Sequence, residues 1–275
     1  MRKVFETPAP TELYVVVPVG DVHVRCDDVE RTTVEVDGND AEDVVVEQRG
    51  DQIVVIAPMK RGLFLGFGPS GQLRVRVTMP HDSALATKLA SADLDVAGRL
   101  GPVRLRSGSG DVRLDEVAAD AVAEAGSGDL EIRTVAGELR VKCGSGDVEI
   151  GSVAGATAVS TGSGSVEIGT SAGPVQAKSG SGDLHVGRAH HDLTLSAASG
   201  DLTVDCMDRG ALRAQSVSGD IRVGIPAGVP VWTDINCVTG SVRSDLEGAG
   251  EPEEGQDFVE VRAKTVSGDV HLVQR

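Results

Sequence analysis

The chain has 275 residues, a formal net charge of −16 at pH 7, and only four Phe, one Trp and one Tyr. Such a charge repels phosphate backbones and anionic lipid surfaces, and no Lys/Arg-rich segment interleaved with aromatic residues offsets it, which argues against nucleic-acid binding. No apolar run approaches the roughly 20 residues that a membrane-spanning helix needs.

The first residues, MRKVFETPAPTELYVVVPVGD, contain two basic residues but no apolar core of the kind found in signal peptides. Cys26, Cys143, Cys206 and Cys237 form no CxxC pair and have no regular spacing. Both features predict a reduced, cytoplasmic protein. The cell surface is the alternative if an export signal lies outside this sequence.

Residues 1–80 contain six short segments of alternating aliphatic character, which predict β-strands. The segments are 13–17, 22–25, 33–37, 44–47, 53–57 and 73–78. They lack the repeat that follows, so we expect residues 1–80 to form a β-rich cap on a repeat domain spanning 81–275. Within the cap, a glycine-rich loop carries Leu63, Phe64, Leu65 and Phe67, and this loop is the best local candidate for an interaction site.

From residue 93 the sequence repeats with a fixed period. Six consecutive steps of 18 residues relate Asp93, Asp111, Asp129, Asp147, Ser165, Asp183 and Asp201, and later steps of 19, 21 and 28 lead to Asp220, Ser241 and Asp269. Each repeat has two aliphatic-x-aliphatic segments separated by glycine corners. This pattern predicts an all-β fold, a parallel β-solenoid of about ten 18-residue coils that stack in register. Residues 244–257 interrupt the period with an acidic, Pro-containing insertion, which we interpret as a guard against end-to-end stacking.

The residues with candidate structural or cation-binding roles lie at the corners. We expect their glycines to supply backbone angles forbidden to other residues, and their aspartates to bond their own backbone and so close the turn. The alternative is cation binding between coils, with weak candidate ligands at Asp111, Asp129, Asp147, Asp183, Asp201 and Asp220. The calcium β-roll also has two nine-residue steps per turn, but here alternate steps lack the aspartate, so only weak Ca²⁺ binding is predicted. No other cofactor is predicted.

The repeats resemble those of the bacterial "putative adhesin" family of SGD-type β-strand-repeat proteins. The segments that carry the resemblance are GSGDVRL at 108–114, GSGDLEI at 126–132, GSGDVEI at 144–150, GSGDLHV at 180–186, VSGDIRV at 217–223 and VSGDVHL at 266–272. The resemblance implies the same solenoid fold and supplies no catalytic residues.

These observations predict a non-catalytic interaction or scaffold protein with an unknown protein or surface partner. GxGxxG, GxxxxGK[ST] and convincing GxSxG motifs are absent from the sequence. Three alternatives stay open: a divalent-cation-binding module, a carbohydrate-active β-helix, and a self-assembling fibre or homo-oligomer formed through the solenoid ends. His185, His190 and His191 form a possible metal cluster, but we interpret them as surface residues.

Overall fold

The computed structural model of the chain describes residues 1–38, 40–58, 73–248, 250 and 255–275. Within these residues the regular elements are all β-strands. They belong to two compact units, Met1–Thr134 and Val135–Arg275. In each unit most strands pair in parallel with the strand one repeat away, and the fold is therefore a β-solenoid. No helix in the described part of the chain is long and apolar enough to cross a membrane.

The first unit contains strands β1 to β10 and most of β11. Their bounds are β1 (Arg2–Glu6), β2 (Glu12–Asp27), β3 (Arg31–Asp37), β4 (Val45–Arg49), β5 (Gln52–Ile56), β6 (Arg74–Pro80), β7 (Ala84–Leu100), β8 (Val103–Ser107), β9 (Val112–Val117), β10 (Ala121–Ala125) and β11 (Leu130–Val135). The predicted strands of this region are confirmed, but those at 13–17 and 22–25 form one continuous strand, β2. The structure adds β1, which the sequence pattern did not indicate.

Strand β2 has parallel partners on both sides. It pairs with β5 and β6 on one side and with β7 on the other. On the outer side of β5 and β6 the pairing becomes antiparallel, through β4 with β5, β3 with β6 and β1 with β3. The boundary at residue 80 between a cap and a repeat domain stays a prediction.

The second unit continues the alternation of short strands. Their bounds are β12 (Leu139–Cys143), β13 (Val148–Val153), β14 (Thr157–Thr161), β15 (Val166–Ser171), β16 (Val175–Ser181), β17 (Leu184–Ala189), β18 (Leu193–Ser199), β19 (Leu202–Met207), β20 (Gly210–Ser218), β21 (Ile221–Ile225), β22 (Val231–Thr239), β23 (Val242–Ser244), β24 (Val259–Ser267) and β25 (Val270–Gln274). Even-numbered strands stack on one side of the coil and odd-numbered strands on the other.

The last two coils of this unit do not stack in chain order. Strand β24 pairs with β20 on one side and with β22 on the other, and β25 lies likewise between β21 and β23. The sequence had predicted that repeats follow one another in chain order. The inward residues explain the difference, because β24 buries Val259, Val261 and Ala263, whereas β22 offers Thr233 at the position that pairs with Val261. We call residues 231–244, which include β22 and β23, the end coil.

Glycine is needed at these corners mainly because adjacent coils pack closely there, and less because the backbone adopts unusual angles. A Cβ on Gly128 would lie 2.1 Å from the carbonyl oxygen of Gly110, and one on Gly164 would lie 1.9 Å from that of Gly146. Neither glycine has a positive φ. The prediction of forbidden angles is therefore wrong for these corners, and it holds at later ones, such as Gly219 with φ 149°.

Candidate interaction surface

The repeated aspartates form a ladder of hydrogen bonds from coil to coil. In the first unit, the Asp111 amide donates to Asp93 Oδ1 at 2.9 Å, and the Asp129 amide donates to Asp111 Oδ1 at 3.1 Å. Each carboxylate therefore accepts from the backbone of the next coil, and not from its own as the sequence had suggested. Its role is to satisfy a corner amide that the strand pairing leaves free.

The same arrangement recurs in the second unit, with an interruption at Ser165, which has no carboxylate for the next coil. The acceptor Oδ1 atoms and the amides that donate to them, at 2.7 to 2.8 Å, are those of Asp147 and Ser165, Asp183 and Asp201, Asp201 and Asp220, Asp220 and Asp269, and Asp269 and Ser241. The ladder passes from residue 220 to 269 and then to 241, which follows the stacking order and not the chain order. It ends at a serine that has no carboxylate to continue it.

Asp269 is the last acceptor of this ladder. The Ser241 amide and then the Ser241 hydroxyl, whose Oγ lies 3.0 Å from Asp269 Oδ1, hold the pKa of this carboxyl below its usual value, and Arg243 adds a smaller effect in the same direction. The charged form of Asp269 therefore helps to hold the end coil in place.

The ladder and the histidines do not build a cation site that the structure makes evident. Among the described residues no three His, Cys, Asp or Glu side chains are grouped as metal ligands. His185 bonds Asp205 through Nε2 at 2.9 Å and has Glu167 Oε1 3.7 Å from its Nδ1, whereas His190 bonds Asp208 through Nδ1 at 2.8 Å. Weak Ca²⁺ binding by the aspartate ladder stays a prediction.

Cys26 is buried in the first unit and is not arranged as a nucleophile. Burial, and then the charge of Asp82, raise the pKa of its thiol to about 12. Since the thiolate is the reactive form of cysteine, this group is almost wholly protonated at neutral pH.

The predicted interaction loop lies outside the described residues. Leu63, Phe64, Leu65 and Phe67 all fall within 59–72, so the structure neither supports nor opposes their role.

The outward charges form mixed ladders. Arg113 Nε lies 3.1 Å from Glu131 Oε2, and Arg106 Nε lies 3.0 Å from Glu124 Oε2, each pair joining adjacent coils of the first unit. In the second unit Lys178 stands between Ser160 and Ser196. These exposed pairs are worth little individually, and they make a solvated surface.

The end coil is different because its inward-facing side chains are only partly covered. Val231, Ile235 and Cys237 occupy the positions that pair with buried residues of β24, yet all three are half-buried. Val242 of β23 pairs with fully buried Val270 but is itself 49% exposed. The aliphatic core of the second unit thus reaches solvent at this coil.

Outward-facing apolar residues border the same coil. Val217, Val266 and Val238 occupy one column on β20, β24 and β22 and are 57%, 49% and 69% exposed; we call them the valine stripe. Trp232, also half exposed, lies at the start of β22, where the Arg262 guanidinium stands 5.5 Å from its ring centroid. Trp232 lies six residues, or about 20 Å, from Val238 along the same strand. Exposed apolar side chains that line up across neighbouring strands, as the valine stripe does, mark interaction surfaces.

This surface was not among the predicted sites, although the sequence contains two signals of it. The stripe occupies the position before each corner motif, which is glycine in the earlier GSGD repeats and valine at residues 217 and 266. The single tryptophan of the sequence also lies here. The three valines lie within strands β20, β22 and β24, where β-branched residues are favoured, and their exposure is what indicates a contact.

Comparisons with known proteins agree with the fold. The sequence profile of the Toastrack DUF4097 family matches residues 12–273. A crystal structure from Parabacteroides merdae, described as a "putative adhesin", covers 99% of this chain and 95% of its own at 12% identity and a TM-score of 0.53. One from Parabacteroides distasonis, described as a "Putative lipid binding protein", covers 99% and 96% at 15% identity and a TM-score of 0.48. No curated protein matches the sequence.

Proposed function

The chain belongs to the Toastrack DUF4097 family, and we propose that it is a non-catalytic β-solenoid of the SGD-repeat type that binds a protein partner through its end coil. The observation that carries the proposal is the exposure of several apolar residues on the end coil and its neighbouring strands: the valine stripe, Trp232 and Val242. Adhesion, the role named in the description of the Parabacteroides merdae protein, is one form that such binding takes.

The physical argument rests on the energetics of exposed apolar side chains. Burying a valine or a tryptophan releases roughly 25 cal/mol for each Å² of apolar surface removed from water, and tryptophan is among the residues most often found at the energetic centre of protein interfaces. The Arg262 guanidinium contacts the Trp232 ring from the side of β24. Such a contact, worth about 0.5–1 kcal/mol at an exposed site, favours one position of the ring and so reduces the conformational freedom that it loses when a partner covers it.

The test compares partner capture by the wild-type chain and by surface variants. A partner recovered by cross-linking from cells of the source bacterium is identified by mass spectrometry, purified and titrated against each variant. Trp232→Ala and Val238→Ser are expected to lower its affinity at least tenfold. Val122→Ser, at an exposed outward valine of β10, is the matched control and should bind as the wild type does. Equal affinities for all three variants would contradict the proposal.

A further inference from the structure

The open side of the end coil offers a free set of backbone hydrogen-bonding groups. Strand β22 pairs with β24 on one side, where the Val259 amide donates to Pro230 O at 3.0 Å, and no described strand pairs with its other side. In a parallel pair, alternate residues direct their N–H and C=O groups to the same neighbour. Val231, Thr233 and Ile235 therefore direct theirs away from β24, as an exposed edge strand does.

The side chains beside this edge fit a partner strand in which apolar residues alternate with outward-facing ones. The half-buried Val231, Ile235 and Cys237 continue the inward aliphatic column of the second unit, and Thr233 is the one polar residue among them. A further strand would complete their burial if it placed apolar residues at every second position. The residues between them would face outward, on the same side as Trp232 and Val238.

The negative charge of this protein favours a partner segment with basic residues at those outward positions. Asp234 is an exposed outward residue of β22 itself, and the chain has a net charge of −16. A second copy of this chain would carry the same net charge and would be repelled. A basic segment would instead be attracted, both in the encounter and in the complex.

We propose that the open side of β22 binds an extended segment of a partner protein as an additional parallel strand. The segment has apolar residues at alternate positions and Lys or Arg between them. This inference rests on the proposed function of the end coil and specifies the binding mode. Strand addition of this kind obtains affinity from main-chain hydrogen bonds and specificity from alternate side chains.

The direct test uses a synthetic peptide as the probe. The peptide has the sequence of β24, Val259–Ser267, with Glu260→Lys, because β24 already pairs with β22 from the inner side. The control peptide keeps Glu260 and carries Arg262→Glu and Lys264→Glu. We expect the basic peptide to shift the backbone NMR signals of residues 231–239, with at least tenfold higher affinity than the acidic control and with weaker binding as salt increases.

A backbone variant separates strand addition from other contacts. Thr233→Pro removes an N–H group on the open side only, where proline is tolerated in edge strands. It should lower the affinity of the basic peptide at least tenfold while the melting temperature and the signals of β24 stay near those of the wild type. Thr233→Val keeps the amide and should bind at least as well as the wild type. If Thr233→Pro melts early, hydrogen exchange at the Thr233 and Ile235 amides of the wild type, with and without peptide, gives the same answer.

Two results would overturn the inference. Signal shifts confined to residues outside the end coil, or equal binding of the basic and acidic peptides, would exclude the proposed mode. Shifts of β22 that grow with protein concentration in the absence of peptide would identify a second copy as the occupant. The proposed function has its own readout, since a partner that depends on Trp232 and Val238 but not on the Thr233 amide would leave that function intact and remove only strand addition.

Discussion

At the corners, single atoms decide how closely two coils approach. A methyl group on Gly128 would overlap the carbonyl oxygen of Gly110, and both partners are backbone atoms that cannot move without shifting the coil. Glycine is required here because of the neighbouring coil, even though its own φ is ordinary.

Replacement of this glycine should be costly. We expect Gly128→Ala to lower the free energy of unfolding by about 1–3 kcal/mol, the range for inserting atoms into a closely packed site. Gly248→Ala is the matched control, because a Cβ there meets no atom of the described residues within 4 Å and its φ is not positive. Urea unfolding followed by circular dichroism measures both, and equal losses would show that coil packing is not what selects glycine.

The end of the aspartate ladder should be sensitive to acid. The pKa of Asp269 is lowered in the folded state, so its stabilising contribution is complete above the unfolded-state pKa and is lost as pH falls through the folded-state pKa. Ser241→Ala removes the hydroxyl and should move the folded pKa of Asp269 up, toward its usual value, while the amide still holds it below. NMR titration of the Asp269 carboxyl carbon checks this. An unchanged pKa would show that the hydroxyl does not contribute.

At the scale of elements, the molecule places its last strands in an order that chain connectivity does not dictate. Strand β24 is apolar enough to lie inside the stack, and β22 is left outside it. The consequence is that the end coil, and not the C-terminal strand, carries the open edge.

Engineered disulfides test this order. Lys264 pairs with Gln215 of β20 and with Asn236 of β22, and adjacent strands lie about 4.8 Å apart, within the range that a disulfide spans. Gln215→Cys with Lys264→Cys should therefore cross-link on oxidation, as should Lys264→Cys with Asn236→Cys. The pair Gln215→Cys with Asn236→Cys, two strand spacings apart at about 9.6 Å, should not. Cross-linking of that third pair alone would show that β20, β22 and β24 stack in chain order.

For the molecule as a whole, the net charge of −16 raises the question of how the fold tolerates the repulsion between its carboxylates. Carboxylates of the aspartate column accept hydrogen bonds from backbone amides, which stabilise their charge, and the outward arginines pair with neighbouring carboxylates. The remaining repulsion is of a general kind that any salt screens.

This distribution of charge predicts how the chain responds to divalent cations. Thermal unfolding in millimolar CaCl2 and in MgCl2 of equal ionic strength should give similar melting temperatures, a little above that in EDTA, since weak binding of either ion to the carboxylates does little more than screen their charge. A specific site, at a cation concentration 100 times its dissociation constant, would raise the free energy of unfolding by about 2.7 kcal/mol. A rise of several degrees with Ca²⁺ alone, lost on changing Asp183 and Asp201 to Asn, would establish the cation-binding alternative.

The sequence predicted the fold well because the solenoid is a local repetition. The 18-residue step alone predicts that Asp111 and Asp129 are neighbours. The alternation within one repeat predicts that residues such as Leu130 and Ile132 lie in the core, and neither prediction depends on the rest of the chain. The exchange of the last two coils could not be predicted in this way, because it depends on competition between β22 and β24 for one interior position. The weaker inward pattern of β22, with Thr233 opposite Val261, is the local sign of that competition.

Hydrogen exchange of individual amides tests the open edge, and with it the proposed binding surface, most directly. We predict strong protection of the Val259 amide, which donates to Pro230 O, and exchange close to the rate of an unstructured peptide for the Thr233 and Ile235 amides in the isolated chain. Strong protection of Thr233 and Ile235, equal to that of Val259, would show that β22 is already covered and that its edge is not open.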